Sequence, residues 1–224
     1  MTHFAKLMGV TALLLAATAP AVAADEDPNI WLAQSATIDL GGDMLLGLEA
    51  QERFTNDASR LGQFLFRPSI GYKLDKSTSI HLGYAYVYSD PQNGASTNEH
   101  RAFQQLSFRV AGDGKGVTVT GRTRFEQRFL EETDGTALRI RQQFRLTAPL
   151  SEKVRAIAWT EAFIGLNQTR LQRDGIGLWR NFAGVSVPLG KGVSLEPGYL
   201  NQYVVRTGTD RIDHVGNLTL SASF

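Results

Sequence analysis

The chain of 224 residues contains no cysteine. This absence excludes a disulfide-stabilised scaffold, a thiolate metal site and a cysteine nucleophile. The formal net charge is only +1, so the totals give no electrostatic argument for a nucleic-acid partner. After residue 23 the sequence also lacks an apolar run of about 18 residues, which excludes a helical membrane protein but not a barrel of alternating strands.

Residues 1–23 have the features of a secretory signal peptide. Lys6 supplies a basic start, and residues 8–17 form an apolar run that is too short to span a bilayer of about 30 Å. Residues 21–23 read Ala-Val-Ala, which is typical of a signal-peptide cleavage site. We therefore expect export of a single domain covering residues 24–224. An exported, cysteine-free chain of this pattern indicates the envelope of a Gram-negative bacterium.

An alternation of polar and apolar residues dominates the exported part of the chain. It is clearest from Val117 to Leu150, where two arms, RTRFEQRF and LRIRQQFRL, flank the turn TDGT at residues 133–136. A period of two predicts two β-strands, each with one apolar face and one face rich in arginine. The same alternation recurs from Ile30 to Phe224 and predicts eleven strands, with no helix of useful length.

The lengths of strands and loops distinguish a membrane barrel from a soluble sandwich. The predicted strands have about 11–15 residues, against about 5–6 in soluble sheets and about 9–11 for a tilted membrane crossing. Short turns alternate with longer loops at 55–62, 91–98 and 168–174. A sheet in lipid must close on itself because every backbone polar group needs a partner. We therefore predict an all-β fold: a closed antiparallel up-and-down transmembrane β-barrel of about 10–12 strands in the bacterial outer membrane.

The strand number is not settled by the sequence. Bacterial single-chain barrels normally have an even number of strands, and eleven is odd. A terminal Phe224 at the periplasmic end makes the last strand descend, and the rhythm of the turns makes the first strand descend as well. Two explanations stay open: residues 30–40 are not a full strand, or one strand has been missed or split. Ten or twelve strands is the physical expectation.

The inward faces of the predicted strands carry many more arginines than carboxylates, and they form the candidate site. The residues predicted to line the interior are Arg53, Arg67, Arg101, Arg109, Arg122, Arg124, Glu126, Arg128, Arg139, Arg141, Arg145, Arg155, Glu161, Arg180, Glu196 and Glu49, with Arg206 and Lys73 adding positive charge. One interpretation is a structural network of guanidinium–carboxylate pairs that fills a small barrel. The other is a narrow pore or solute-binding interior in which surplus arginines favour anions.

Two other classes compete with these interpretations. One is an enzyme, an outer-membrane lipid-modifying hydrolase. The other, for a soluble barrel, is a periplasmic lipid-binding protein. The exported part has three histidines, His81, His100 and His214. None has a serine two residues later, as in the local arrangement of the outer-membrane phospholipase, although a triad across strands stays an alternative. No two histidines lie at metal-ligand spacing. We therefore expect no catalytic residues, no metal and no cofactor.

Several segments resemble a widespread outer-membrane barrel family that carries only a domain-of-unknown-function label. They are LGLEAQERF, FLFRPSIGYKLDKSTSIHLGYAYVY, EHRAFQQLSFR, GRTRFEQRF, LRIRQQFRLTAPLSEKV and WRNFAGVSVPLGKGVSLEPGYLNQYVVR. The resemblance covers Ile30 to Phe224 and implies an outer-membrane barrel without an established activity. The partners we expect are outer-membrane lipids, the barrel-assembly machinery and small anions, with no nucleic acid, for a chain that acts as a monomer.

Overall fold

The computed structural model describes residues 25–224, and eleven β-strands make up most of this part of the chain. The predicted signal peptide, residues 1–23, lies outside the described residues. Within residues 25–224 no helix is long and apolar enough to cross a membrane. The strands are β1 (Asp25–Gly41), β2 (Met44–Thr55), β3 (Arg60–Lys73), β4 (Thr78–Ser89), β5 (Thr97–Ala111), β6 (Thr118–Leu130), β7 (Ala137–Pro149), β8 (Arg155–Gly165), β9 (Gly175–Gly190), β10 (Val193–Val204) and β11 (Arg211–Ser223).

The strands form one closed barrel in which each strand pairs with its sequence neighbours. Ten of the junctions are antiparallel, and the eleventh joins β1 to β11 in parallel, from Asp25 opposite Arg211 to Thr37 opposite Ser223. The predicted closed barrel and the count of eleven strands are confirmed. The expectation of an even number is wrong, because a parallel pair closes an odd-numbered ring. β1 is a complete strand of 17 residues, so within residues 25–224 no strand is missing or split.

The connections fall into two groups at opposite ends of the barrel. One end, the tight-turn rim, has connections at 42–43, 74–77, 112–117, 150–154 and 191–192. The other, the long-loop rim, has connections at 56–59, 90–96, 131–136, 166–174 and 205–210. The first predicted loop, 55–62, shrinks to residues 56–59. Asn56, Asp57 and Ala58 all have φ near +57°, a left-handed conformation that Asn and Asp tolerate, so the chain reverses in four residues.

The alternation of side chains separates the two faces of the barrel wall. On the outer face, Leu82 is 65% exposed and Phe144 is 45% exposed, although both are large apolar side chains. On the inner face of the β6–β7 hairpin, Arg124 is 4% exposed and Glu126 only 1%. The sheet therefore has its apolar face outside and its charged face inside, the reverse of a soluble sheet packed on an apolar core.

Part of the interior is apolar as well. Five buried side chains from β1, β8, β9, β10 and β11 form an apolar cluster: Trp31, Ile157, Phe182, Leu200 and Val215. Trp159 packs against this cluster and stacks on Phe182 with ring centroids 5.3 Å apart. Gly184 and Gly198 lie beneath the Phe182 ring so closely that a Cβ at either position would clash with it. The two glycines therefore make the space in which this ring lies against the wall.

Candidate functional site

Glu126 and Glu161, two buried carboxylates of the inner wall, each accept hydrogen bonds from two arginines. Glu126 accepts a hydrogen bond of 2.9 Å from Nε of Arg139 and one of 3.0 Å from Nη1 of Arg141. Glu161 accepts bonds of 2.9 Å from Arg141 Nη2 and 2.7 Å from Arg122 Nη2. Arg141 thus bridges two carboxylates. Charged hydrogen bonds of this length are the strong class, and they offset part of the cost of removing both partners from water.

A third carboxylate extends this network toward the long-loop rim. Glu99 pairs through both oxygens with Arg101, at 2.7 and 2.8 Å, and through both oxygens with Arg128, at 2.6 and 3.0 Å. Its position in the interior was not predicted. We call Glu99, Glu126 and Glu161 with their arginines the ion-pair network; it covers the inner faces of β5, β6, β7 and β8. Two further ion pairs, whose carboxylates are more exposed, lie outside this network: Arg67–Glu49 at 2.6 Å and Arg145–Glu196 at 2.7 Å.

The carboxylates do not balance the arginines. Among the described residues, six arginines but only four carboxylates are buried. The structure shows what replaces the missing carboxylates for two inward arginines. Arg53 donates to the amide oxygens of Gln51 (2.8 Å) and Gln63 (2.6 Å), and Arg180 donates to that of Gln202 (2.8 Å). Arg124 donates to Gln105 (2.9 Å) but also lies 3.9 Å from the Glu126 carboxylate. An amide oxygen satisfies a donor and leaves the positive charge uncompensated.

Aromatic rings provide the second substitute for carboxylates. Trp31 lies within 4.0 Å of the Arg53 guanidinium carbon and 4.8 Å of that of Arg180. Phe163 lies 4.7 Å from Arg180 and 4.4 Å from Arg141. Trp31 is therefore shared by Arg53 and Arg180, and Phe163 by Arg180 and Arg141, so that these five side chains form one continuous row of contacts. Each such contact attracts the cation by about 0.5–2 kcal/mol, depending on desolvation.

Two interior cavities meet at this row. The upper cavity, of about 630 Å³, reaches the long-loop rim at residues 56, 57, 91 and 92. The lower cavity, of about 260 Å³, extends toward the tight-turn rim. Four arginines line both cavities, and we call them the arginine layer: Arg53, Arg67, Arg141 and Arg180. The rim of the upper cavity carries the acids Asp27, Asp57 and Asp90, so negative charge surrounds the mouth and positive charge forms the floor.

The structure brings most of the predicted interior residues together, with three exceptions at the rims. Arg155 donates to the backbone carbonyls of Lys115 and Gly116 in a tight turn, and Arg109 is exposed at the same rim. Arg206 follows the end of β10, in the connection to β11. Each of these three is displaced because a period of two gives the face of a strand and not the height along it.

Sequence reasoning missed several interior side chains. Glu99 and Asp213 are buried carboxylates, and Trp31, Phe163 and Phe182 are buried rings on inward positions. The alternation of residues does place two of them on the inward face, since Glu99 is two residues from Arg101 and Phe163 is two residues from Glu161. An apolar residue on a charged face gives an ambiguous pattern, because it fits either a lipid-facing or an interior position.

Among the described contacts, neither His81 nor His100 meets both a serine and a carboxylate, as a hydrolase triad requires. His81 faces inward and contacts the hydroxyl of Ser79 at 3.0 Å. His100 faces outward, between the Tyr84 hydroxyl at 2.5 Å and the Glu131 carboxylate at 2.9 Å. Hydrogen bonds from His100 and from Asn98 hold the pKa of Glu131 below its ordinary value of 4.5. His214 contacts the Tyr199 hydroxyl at 2.6 Å.

Metal coordination finds no support in the part of the chain that the structure describes. No group of three or more histidine, aspartate and glutamate side chains there could hold a metal ion. The buried carboxylates are already occupied by guanidiniums, whose positive charge would oppose a cation.

Comparison with known proteins gives a family and no activity. A family model described as a protein of unknown function (DUF2490) matches residues 28–213. An uncharacterized protein of Methylorubrum extorquens is 34% identical over 219 residues, which covers 94% of this chain and 95% of the relative. The matched range runs from the start of β1 into β11 and so includes the arginine layer. The chain belongs to the DUF2490 family.

Proposed function

We propose that this protein is an outer-membrane β-barrel whose interior forms a narrow, anion-preferring pore. The outer face supports the location. A closed sheet leaves no strand edge unpaired, and large apolar side chains such as Phe66, Ile70 and Leu82 stay more than 40% exposed. Both are what a lipid environment demands of a barrel. We propose outer-membrane lipids and the barrel-assembly machinery as its partners and the monomer as its functional state.

The arginine layer is the observation that carries the anion preference. Its four guanidiniums lie between the two cavities, so a solute that crosses the barrel must pass them. Rings of arginine or lysine favour anions in a pore because fixed positive charge offsets the cost of dehydrating the ion. Arg53 and Arg180 have no direct carboxylate partner in the described chain, so their charge is available to attract an anion. Arg67 is paired with Glu49, and Arg141 is paired with Glu126 and Glu161.

A structural barrel without conductance is the second candidate, and one observation favours it. The apolar cluster and the ion-pair network together fill much of the cross-section, and the buried members of both are less than 9% exposed. A barrel filled in this way would support the membrane or present its loops without passing solutes. The two candidates differ in a single measurable property, which is ionic conductance.

Planar-bilayer recording of the purified protein under a KCl gradient tests the proposal. We expect a small conductance whose reversal potential is shifted toward the equilibrium potential of chloride. In Arg180→Glu this preference for chloride over potassium should be lost or inverted. Lys191→Glu makes the same charge change in a tight turn and should keep the wild-type selectivity. Cation selectivity in the wild type would contradict the pore. A complete lack of conductance would leave the structural barrel.

The location needs its own test. After separation of cell envelopes by density, the protein should sediment with the outer membrane and migrate faster on a gel when unheated than when boiled. Recovery in the soluble periplasmic fraction would contradict an integral membrane barrel.

A further inference from the structure

We infer that the arginine layer contains a binding site for a dianionic oxyanion, between Arg53 and Arg180 beside Trp31. The inference deepens the proposed pore by naming the chemical class that its interior selects. Arg53 and Arg180 approach the same indole, at 4.0 and 4.8 Å, and both line the upper and the lower cavity. They belong to β2 and β9, which are not neighbours in the sheet, so the barrel itself brings the two guanidiniums together.

The hydrogen bonds of the layer identify which donors are available. Arg67 is paired with Glu49, and Arg141 is paired with two carboxylates. Arg180 is 8% exposed and makes one hydrogen bond to a described residue, from Nε to Gln202. Its two terminal nitrogens have no hydrogen-bond acceptor among residues 27–224. Arg53 has only amide acceptors, on Gln51 and Gln63.

The charge of this pair specifies the ligand. Neither guanidinium forms a direct ion pair with a carboxylate among residues 27–224, so both present positive charge to the cavities. A tetrahedral dianion such as phosphate matches that charge and offers several oxygens, which suits the planar fork of arginine. Chloride carries only one negative charge, and it has no pair of oxygens that could accept two parallel hydrogen bonds from a guanidinium. The site should therefore prefer phosphate or sulfate over chloride.

The upper cavity sets the size of the ligand. Its volume of about 630 Å³ lies within the range of small-molecule pockets, about 300–1,000 Å³, and far exceeds one phosphate ion. The amides of Gln63 and Gln202 line it above the two arginines, together with the carboxylates of Asp27 and Asp213. A phosphomonoester of a small polyhydroxylated solute therefore fits as well as free phosphate, with its phosphoryl group on the arginines.

Calorimetric titration of the full-length chain in detergent micelles tests the site. Inorganic phosphate, sulfate, a sugar phosphate and chloride are compared at constant ionic strength. We expect saturable binding of the dianions, no detectable binding of chloride, and at least tenfold weaker phosphate binding in Arg53→Gln and in Arg180→Gln. Tighter binding of the sugar phosphate than of phosphate would assign the upper cavity to the solute, and equal affinity would assign the site to the free ion.

Arg155→Gln is the matched control, because Arg155 lies inward at the tight-turn rim and lines neither cavity. It should keep wild-type phosphate affinity. Folding of each variant is checked by its heat-dependent gel mobility, and Arg180→Lys, which retains the charge, keeps the test decisive if Arg180→Gln does not fold: it should bind phosphate through a single point charge, more weakly than wild type.

Three results would overturn the site. They are chloride binding equal to phosphate, a loss of affinity in Arg155→Gln equal to that in Arg180→Gln, and wild-type affinity in both Arg53→Gln and Arg180→Gln. The outcome is separate from that of the pore. Saturable binding without conductance would retain the site and remove the pore, and anion conductance without saturable binding would do the reverse.

Discussion

The two sides of the barrel interior bury their side chains in different ways. Over β5 to β8, the ion-pair network places every buried carboxylate between two guanidiniums. Over β1 and β9 to β11, with Ile157 from β8, large side chains pack into the apolar cluster, and the one buried carboxylate described there, Asp213, pairs with Arg211. The surplus arginines lie where these two regions meet, and there rings and amide oxygens take the place of carboxylates. The comparison teaches that the excess positive charge of the sequence is not spread over the interior but collected at one boundary.

Removing Glu126 should have the largest effect on stability, because it breaks the ion-pair network at its most buried carboxylate. Glu126→Gln leaves Arg139 without its carboxylate and Arg141 with one instead of two. Breaking a buried pair from one side typically costs about 3–5 kcal/mol, and we expect that loss in the free energy of unfolding. Denaturant unfolding in micelles, followed by tryptophan fluorescence, measures it.

Asp39→Asn is the control for this change. Its carboxylate is 48% exposed and pairs with Lys73, which is 39% exposed, so we expect a much smaller loss than in Glu126→Gln. Equal losses in the two variants would show that burial does not decide the strength of these pairs.

Truncating Leu200 tests the apolar cluster. Leu200 is 2% exposed among Trp31, Phe182 and Val215, and Leu200→Ala leaves a cavity in the interior. Such substitutions cost about 2–5 kcal/mol, so the effect should approach but not exceed that of Glu126→Gln. Leu218→Ala on the outer face, where Leu218 is 38% exposed, should cost clearly less under the same unfolding conditions. If the outer-face variant loses as much, the cluster is not a packed core.

The smallest effect is expected outside the barrel interior, at Glu131 on the long-loop rim. The folded chain lowers the pKa of Glu131 from 4.5, chiefly through the hydrogen bond with His100 and then through that with Asn98. A lowered carboxyl pKa stabilises the fold above pH 4.5, and the contribution is lost as the pH falls through the folded value. The difference in unfolding midpoint between wild type and Glu131→Gln should therefore shrink between pH 6 and about pH 3. A difference that stays constant over this range would contradict the hydrogen bonds.

Much of the fold could be predicted from the alternation of residues alone. The β6–β7 hairpin has an unbroken pattern, with Phe125, Ile140 and Phe144 on one face and Arg124 and Arg141 on the other. Each arginine predicted to face inward in this hairpin lies on the inner wall, because a strand with one apolar and one charged face cannot shift by one residue without exchanging those faces.

The remainder depends on contacts between strands that are distant in sequence. The row from Arg53 to Arg141 uses β1, β2, β7, β8 and β9, and no local pattern shows that these five side chains are in contact. The sequence could not show that the barrel closes with an odd number of strands, for a similar reason. Antiparallel pairing follows from short connections, whereas the β1–β11 pair joins the two ends of the sheet and has no turn to reveal it.

The parallel β1–β11 pair also determines where the two ends of the barrel emerge. Asp25 begins β1 at the long-loop rim, and Ser223 ends β11 at the tight-turn rim. An even-numbered barrel returns both ends to one side, whereas this one places them on opposite sides. In the proposed membrane location, a label joined before β1 and a label joined after β11 would therefore report from different compartments.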